Sequence, residues 1–167
     1  MTNQFSIEQA FELLQFGDAE ARADAIIFLG EVRYAPSVPH LTELVRKSDP
    51  GTRYLAAKAL GHIGDEAESA VPTLLQAMRD NDIFLRAGIA GALIKIGYPA
   101  VPGLTKALFD RNNAVKRAAA KALGKIGSDR AVPALANALN DQNAGVRKFA
   151  REALERIDTP EARDALE

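Results

Sequence analysis

Apolar residues recur along this chain at three- and four-residue intervals, as in Ala56, Ala57, Ala59, Leu60 and Ile63, the spacing of a helix that buries one face. The run stops and restarts on a fixed phrase. Five times an Asp or Asn (Asp18, Asp49, Asp82, Asn112, Asn143) is followed four residues on by a cation (Arg22, Arg53, Arg86, Lys116, Arg147) and seven further on by a leucine (Leu29, Leu60, Leu93, Leu123, Leu154). Successive copies lie 31, 33, 30 and 31 residues apart. In the first four, a Val-Pro pair (Val38-Pro39, Val71-Pro72, Val101-Pro102, Val132-Pro133) opens a second apolar stretch, so each copy predicts two helices joined by a short turn.

The boundaries are encoded locally. A short polar residue caps each first helix, and Gly64, Gly97 and Gly127 fall where a left-handed C-terminal cap is expected. The proline after each valine suits the first turn of the next helix, where its missing N–H is no loss. First helices are predicted to start near 19, 50, 83, 113 and 144, and second helices to span about 37–47, 68–79, 99–109 and 130–140. Residues 6–16 read as a second helix without its first, opened by a Ser6–Gln9 capping box, and Thr159-Pro160 starts a final helix running to Glu167. Gly30, Gly61 and Gly124 lie inside first helices, where glycine costs about 1 kcal/mol relative to alanine, and therefore predict close backbone approach.

The stretches RYLAAKALGHIGDEAESAVPTLLQAM and KRAAAKALGKIGSDRAVPALANALND, with the aligned copies around them, resemble HEAT repeats of the phycobilisome-lyase type over residues 18–157. The resemblance implies an all-α right-handed superhelical solenoid of five helical hairpins in a single domain, 1–167. Its capping helix is 6–16 and its repeats are approximately 18–48, 49–81, 82–111, 112–142 and 143–167. Members include subunits of phycobilin lyases and proteins that take phycobilisomes apart, which hold phycobiliproteins or tetrapyrroles, beside many bacterial proteins that bind partners. Deoxyhypusine hydroxylase is similar in fold but rests on repeated His-Glu pairs. Here His40 is followed by Leu41 and His62 by Ile63, so that activity is not expected. HEAT-like DNA glycosylases use tryptophans, and this chain has none.

Composition narrows the chemistry further. Cysteine is absent, which removes disulfides, thiolate metal sites and a cysteine nucleophile. No apolar run approaches the roughly 20 residues of a spanning helix, and Glu8 and Glu12 interrupt any signal-like segment, so a cytoplasmic protein is the expectation. No Ser-His-Asp order, glycine-rich phosphate loop or paired carboxylate in a pocket-like context is present, and neither histidine has a second ligand at metal spacing; no catalytic residue and no metal are predicted.

Charge is unevenly spread. Residues 1–80 carry 7 basic and 12 acidic side chains, while the segment from Arg86 to Arg130 carries nine cations against Asp110 and Asp129. Arg117, Lys121 and Lys125 recur every four residues and form a stripe on one helix. The column Arg22, Arg53, Arg86, Lys116 and Arg147 reads instead as an inter-repeat ladder to Asp80, Asp110, Asp141 or the capping residues. The third copy departs from its siblings: Ile83, Phe84 and Leu85 stand where the second, fourth and fifth copies have Pro50-Gly51-Thr52, Asn113-Ala114-Val115 and Ala144-Gly145-Val146, Gly88 and Gly91 follow, and Phe84 with Tyr98 forms a candidate apolar anchor. Tyr34 and Tyr98 both follow first helices and predict an aromatic rim.

In this family the second helices line the concave face, where Glu43, Gln76, Arg79, Lys106, Phe109 and Asn137 are the candidate partner residues. The expected function is a non-enzymatic scaffold that binds another protein, one with an acidic surface, through that face and the basic stripe. The alternative is a phycobilin lyase subunit, phycobiliprotein chaperone or phycobilisome-degradation factor, with a bilin tetrapyrrole as ligand. Nucleic acid ranks last, because a pI near 6.2 and few aromatics lack the usual electrostatic and stacking platform.

Overall fold

The computed structural model describes residues 6–167, and what the sequence reading assigns to residues 1–5 lies outside them. Among the described residues there are eleven α-helices and no β-strand. The chain divides into two compact units, one reaching to Ile96 and one from Gly97 to Glu167.

The first unit holds α1 (Ile7–Phe16), α2 (Ala19–Glu31), α3 (Val38–Lys47), α4 (Pro50–Ile63), α5 (Val71–Ala77) and α6 (Ile83–Ile96). Helices α2, α4 and α6 pack side by side as one layer, with α1, α3 and α5 against them as the other. The second unit holds α7 (Val101–Ala107), α8 (Asn113–Ile126), α9 (Val132–Ala138), α10 (Ala144–Ile157) and α11 (Pro160–Asp164). There α8 and α10 form one layer, α7 and α9 pack beneath them, and α11 closes against α10 and α9. The helical-hairpin stacking is that of an α-α solenoid. All five leucines of the repeated phrase are fully buried, each stabilising its unit by about 1.5–3 kcal/mol relative to exposure.

First-helix starts coincide with the sequence reading, because the caps are real. Asp18, Asp49 and Asn143 each accept the backbone N–H three residues on, Asp82 accepts from Phe84 and Leu85, and Asn112 accepts from Ala114. Ser6 and Gln9 close the capping box of α1 reciprocally. The second helices are shorter than predicted. Short 3-10 segments precede α3, α5, α7 and α9, and each of α5, α7 and α9 loosens into three-residue-spaced bonds at its end, such as Asp80 N–H to Ala77 and Asp110 N–H to Ala107. Tight 3-10 turns fit the brief link between helices that must reverse direction. The last helix also stops early, at Asp164 rather than Glu167.

The predicted left-handed caps hold only at Gly127 (φ 73°, ψ 27°). Gly64 and Gly97 combine φ of 86° and 79° with ψ near −140° and −134°, a region open essentially to glycine alone. Where no glycine follows the first helix, Arg33 and Asp158 take positive φ themselves, both 53°. Close backbone approach is found at all three mid-helix glycines. A Cβ on Gly30, Gly61 or Gly124 would lie 2.8, 2.7 or 2.7 Å from the Cα of Ala59, Ala92 or Ala153.

The cation column is a ladder within each unit. Arg53 donates to the Val45 carbonyl at 2.9 Å and to the Asp80 carboxylate at 2.6 Å, and Lys116 reaches Asp141 at 2.6 Å. Arg22, Arg86 and Arg147 donate to backbone carbonyls of the segment just before their own helix: Leu14 and Gly17, Asp80, and Asp141 with Gln142. These bonds satisfy carbonyls left open at the preceding helix end. That role accounts for one cation per copy without a ligand.

Candidate functional site

On the second-helix layer of the first unit, Gln76 and Arg79 are exposed and Glu43 is half-buried. Glu43 is already engaged on its own helix. It pairs with Arg46 at 2.8 Å and with Lys47 one turn on, and the Lys47 hydrogen bond leads the effects that hold its carboxyl below the usual range. Arg46 also reaches the Thr73 hydroxyl at 3.3 Å, tying α3 to α5. On the corresponding layer of the second unit Lys106, Phe109 and Asn137 are exposed, Phe109 to 66%.

The basic stripe lies on the other layer. Arg117 lays its methylenes along Gly145, where a Cβ would fall 2.7 Å from Cδ. The Lys121 ammonium stands 5.9 Å from the Phe149 ring centroid, a cation–π distance, and Lys125 is exposed in the last turn of α8, where the helix dipole favours a cation. Helix α8 carries no carboxylate. Within this unit Lys106, Phe109 and Asn137 belong to the α7–α9 layer, and Arg117, Lys121 and Lys125 to the α8–α10 layer, so the expected concave-face residues and the basic stripe stand on different layers. The inter-helix turn carries Tyr98 at 65% exposure. Tyr34, its counterpart in the first unit, is half-buried with its ring edge-on to Phe11 at 5.7 Å, so the aromatic rim is not repeated.

Phe84 is 82% exposed at the start of α6 and borders a cleft of about 320 Å³ between α4 and α6. It is lined by Tyr54 and Lys58 from α4 and by Phe84, Gly88, Gly91 and Lys95 from α6, among others. The Tyr54 ring lies on Gly88, where a Cβ would be 2.6 Å from ring carbons. Phe84, Gly88 and Gly91 were legible as departures of the third copy. Tyr54, Lys58 and Lys95 were not singled out, although Tyr54 is the one aromatic among the residues five after each cap.

Neither histidine has metal-like surroundings. Among the described residues no three His, Cys, Asp or Glu side chains gather closely enough to hold an ion. His40 packs edge-on against Phe11 at 5.1 Å. Burial first, then the charges of Lys95 and Lys58, press the His62 imidazole below its usual value, against a weaker pull from Glu31. No single helix among the described residues is long and apolar enough to cross a membrane.

A family model for HEAT repeats matches residues 7–94, 46–108 and 101–167. The phycocyanin alpha phycocyanobilin lyase CpcF of Synechocystis sp. is 34% identical over 121 residues, which cover 71% of this chain and 55% of that protein. The chain thus spans about half the length of the curated relative it matches. In solved structures, a chain from the complex of CpcE and CpcF of phycocyanin lyase from Nostoc sp. PCC7120 superposes with a TM-score of 0.65 at 25% identity. That match covers 98% of this chain and 69% of the other. A designed armadillo repeat protein in complex with the peptide (KR)4 shares the fold at a TM-score of 0.55 and 18% identity, covering 89% of this chain and 80% of that one.

Proposed function

The chain belongs to the HEAT-repeat family, and from that premise we propose that it is a binding subunit of the bilin-lyase type, holding a phycobiliprotein and its linear tetrapyrrole. The likeness to the phycocyanobilin lyase carries this reading. With no cysteine in the chain, a bilin is held here without a thiol linkage. The α8 face is suited to the task, because Arg117, Lys121 and Lys125 offer cations to propionates or to an acidic protein surface, with no carboxylate on the same helix to compete. Such a partner places the protein in the cytoplasm.

The test is titration with phycocyanobilin and, separately, with the apo alpha subunit of phycocyanin. Expected are a shift in bilin absorbance or a measurable complex with the apoprotein, each weakened by the pair Lys121→Glu and Lys125→Glu. A flat spectrum together with no complex discards the reading. Binding that is indifferent to the double reversal removes the α8 face from it.

The second reading is a scaffold for an acidic protein unrelated to bilins. It is favoured by the outward-facing Lys121 and Lys125, which need no pigment to be useful. It predicts an acidic partner whose affinity falls with salt, and no response to bilin.

A further inference from the structure

Gly91 is the anomaly of the first unit. Glycine weakens a helix interior, and the other mid-helix glycines of this unit are explained by a neighbour: Gly30 by Ala59, Gly61 by Ala92, Gly88 by the Tyr54 ring. A Cβ on Gly91 meets nothing within 4 Å. The space above it belongs instead to the cleft lined by Tyr54 and Phe84. Phe84 reinforces the point. Its siblings at the second residue after the cap are Glu20, Gly51, Ala114 and Gly145, whereas here a phenyl ring is left 82% exposed beside Ile83 at 72%.

The surroundings specify charge. Lys58 and Lys95 border the cleft and no carboxylate lines it. A second cleft of about 500 Å³ shares Lys95 and is bordered by Arg33, His62 and one acid, Glu31. Together they form a track across α2, α4 and α6 that is apolar at one end and cationic along its length. The first cleft alone is at the small end for a whole ligand, and an interface of ordinary strength covers roughly 800 Å² per partner. A single anchor side chain suits the volume of the first cleft, and its chain continuing past Lys95 extends the contact into the second.

We propose that this track docks an extended acidic peptide segment of a protein partner, with one large apolar side chain seated on Gly91 between Tyr54 and Phe84 and flanking carboxylates on Lys58 and Lys95. The proposal is independent of whether the protein handles bilin.

The experiment is selection of random dodecapeptides displayed on phage against the intact immobilised chain, followed by fluorescence anisotropy with the selected peptides. Expected is a consensus of an aromatic or aliphatic residue next to Asp or Glu. Affinity should drop at least tenfold in Gly91→Leu, which fills the cleft, and likewise in the pair Lys58→Glu and Lys95→Glu. Circular dichroism melts should show both variants folded. Should Gly91→Leu fail to fold, the lysine reversal, which alters exposed side chains only, decides alone. A selection with no acidic-apolar consensus, or peptides that bind the folded variants as well as the parent, overturns the proposal. So does concentration-dependent self-association that Phe84→Ala abolishes, which would assign the cleft to a second copy. A phycocyanobilin absorbance shift lost in Gly91→Leu would assign it to the pigment and equally overturn it.

Discussion

Gly61 packs its backbone directly on that of Ala92, so that a Cβ added to it would lie 2.7 Å from the Ala92 Cα. Neighbouring first helices in this unit are held at a spacing that only glycine permits at that point. Gly61→Ala gains up to about 1 kcal/mol of helix propensity but must force α4 and α6 apart, a class of change that costs about 1–3 kcal/mol. The expected net effect is destabilisation, read as a lower midpoint in thermal or urea unfolding. Gly91→Ala, on the partner helix with open space above it, has the propensity gain and no clash. It should raise the midpoint. Opposite signs for the same substitution are the checkable outcome.

That pair also shows where sequence reasoning reaches and where it stops. Gly61 was legible because its column repeats: Gly30 and Gly124 occupy the same offset and the same contact recurs. The caps at Asp18, Asp49, Asp82, Asn112 and Asn143 and the cation ladder were legible for the same reason, each being a local rule written several times. The cleft was only half legible. Phe84, Gly88 and Gly91 are visible as departures, but Tyr54 and Lys58 belong to the preceding copy, and which residues face α6 depends on how two helices cross. The layers of Lys106 with Asn137 and of the Arg117–Lys125 stripe were legible, since the first pair falls on second helices and the stripe on a first helix.

Lys116 and Asp141 make a more protected ion pair than Arg53 and Asp80, with side chains 14% and 15% exposed against 18% and 29%. Burial pushes the Asp141 carboxyl up, but the Lys116 hydrogen bond, the Asn143 N–H and the nearby cations outweigh it, and the group ends below its ordinary value. Asp80 is lowered too, by the Asp82 N–H first and Arg53 second. Carboxyls depressed in the folded state contribute stability that is complete above about pH 4 and is lost as pH falls through their folded values. Asp141→Asn should therefore cost about 2 kcal/mol at pH 7, the scale of a hydrogen bond to a charged group, and should flatten the acid limb of stability against pH. A variant that loses stability equally at pH 7 and pH 3 would show that the carboxylate charge is not what matters.

Ser128 buries a hydroxyl that has no hydrogen-bond partner among the described residues, in contrast to Ser37, whose hydroxyl donates to the Tyr34 carbonyl at 2.7 Å. An unsatisfied buried polar group is a net cost, on the order of 1–3 kcal/mol. Ser128→Ala removes it with almost no change in volume. The expected result is a higher unfolding midpoint, whereas Ser37→Ala should lower it. A loss of stability in Ser128→Ala would mean that the hydroxyl is bonded in solution.

His62 gives the proposed docking track a spectroscopic handle. Its imidazole borders the second cleft and is held below its ordinary value by burial, Lys95 and Lys58, with Glu31 opposing. A histidine whose folded value lies below the unfolded one, near 6.5, is protonated more readily in the unfolded chain. Its contribution is therefore neutral above about pH 6.5, and stability declines as pH drops below that point. His62→Gln should abolish that decline while leaving stability above pH 7 nearly unchanged. Lys95→Glu replaces a repelling cation by an attracting anion and should move the His62 titration upward, followed by the ring-proton shifts in NMR. An acidic peptide laid across Lys95 must do the same without any mutation. An upward move on binding, absent in Gly91→Leu at equal peptide concentration, would place the carboxylates on the track, while an unmoved titration at saturation would place the peptide elsewhere.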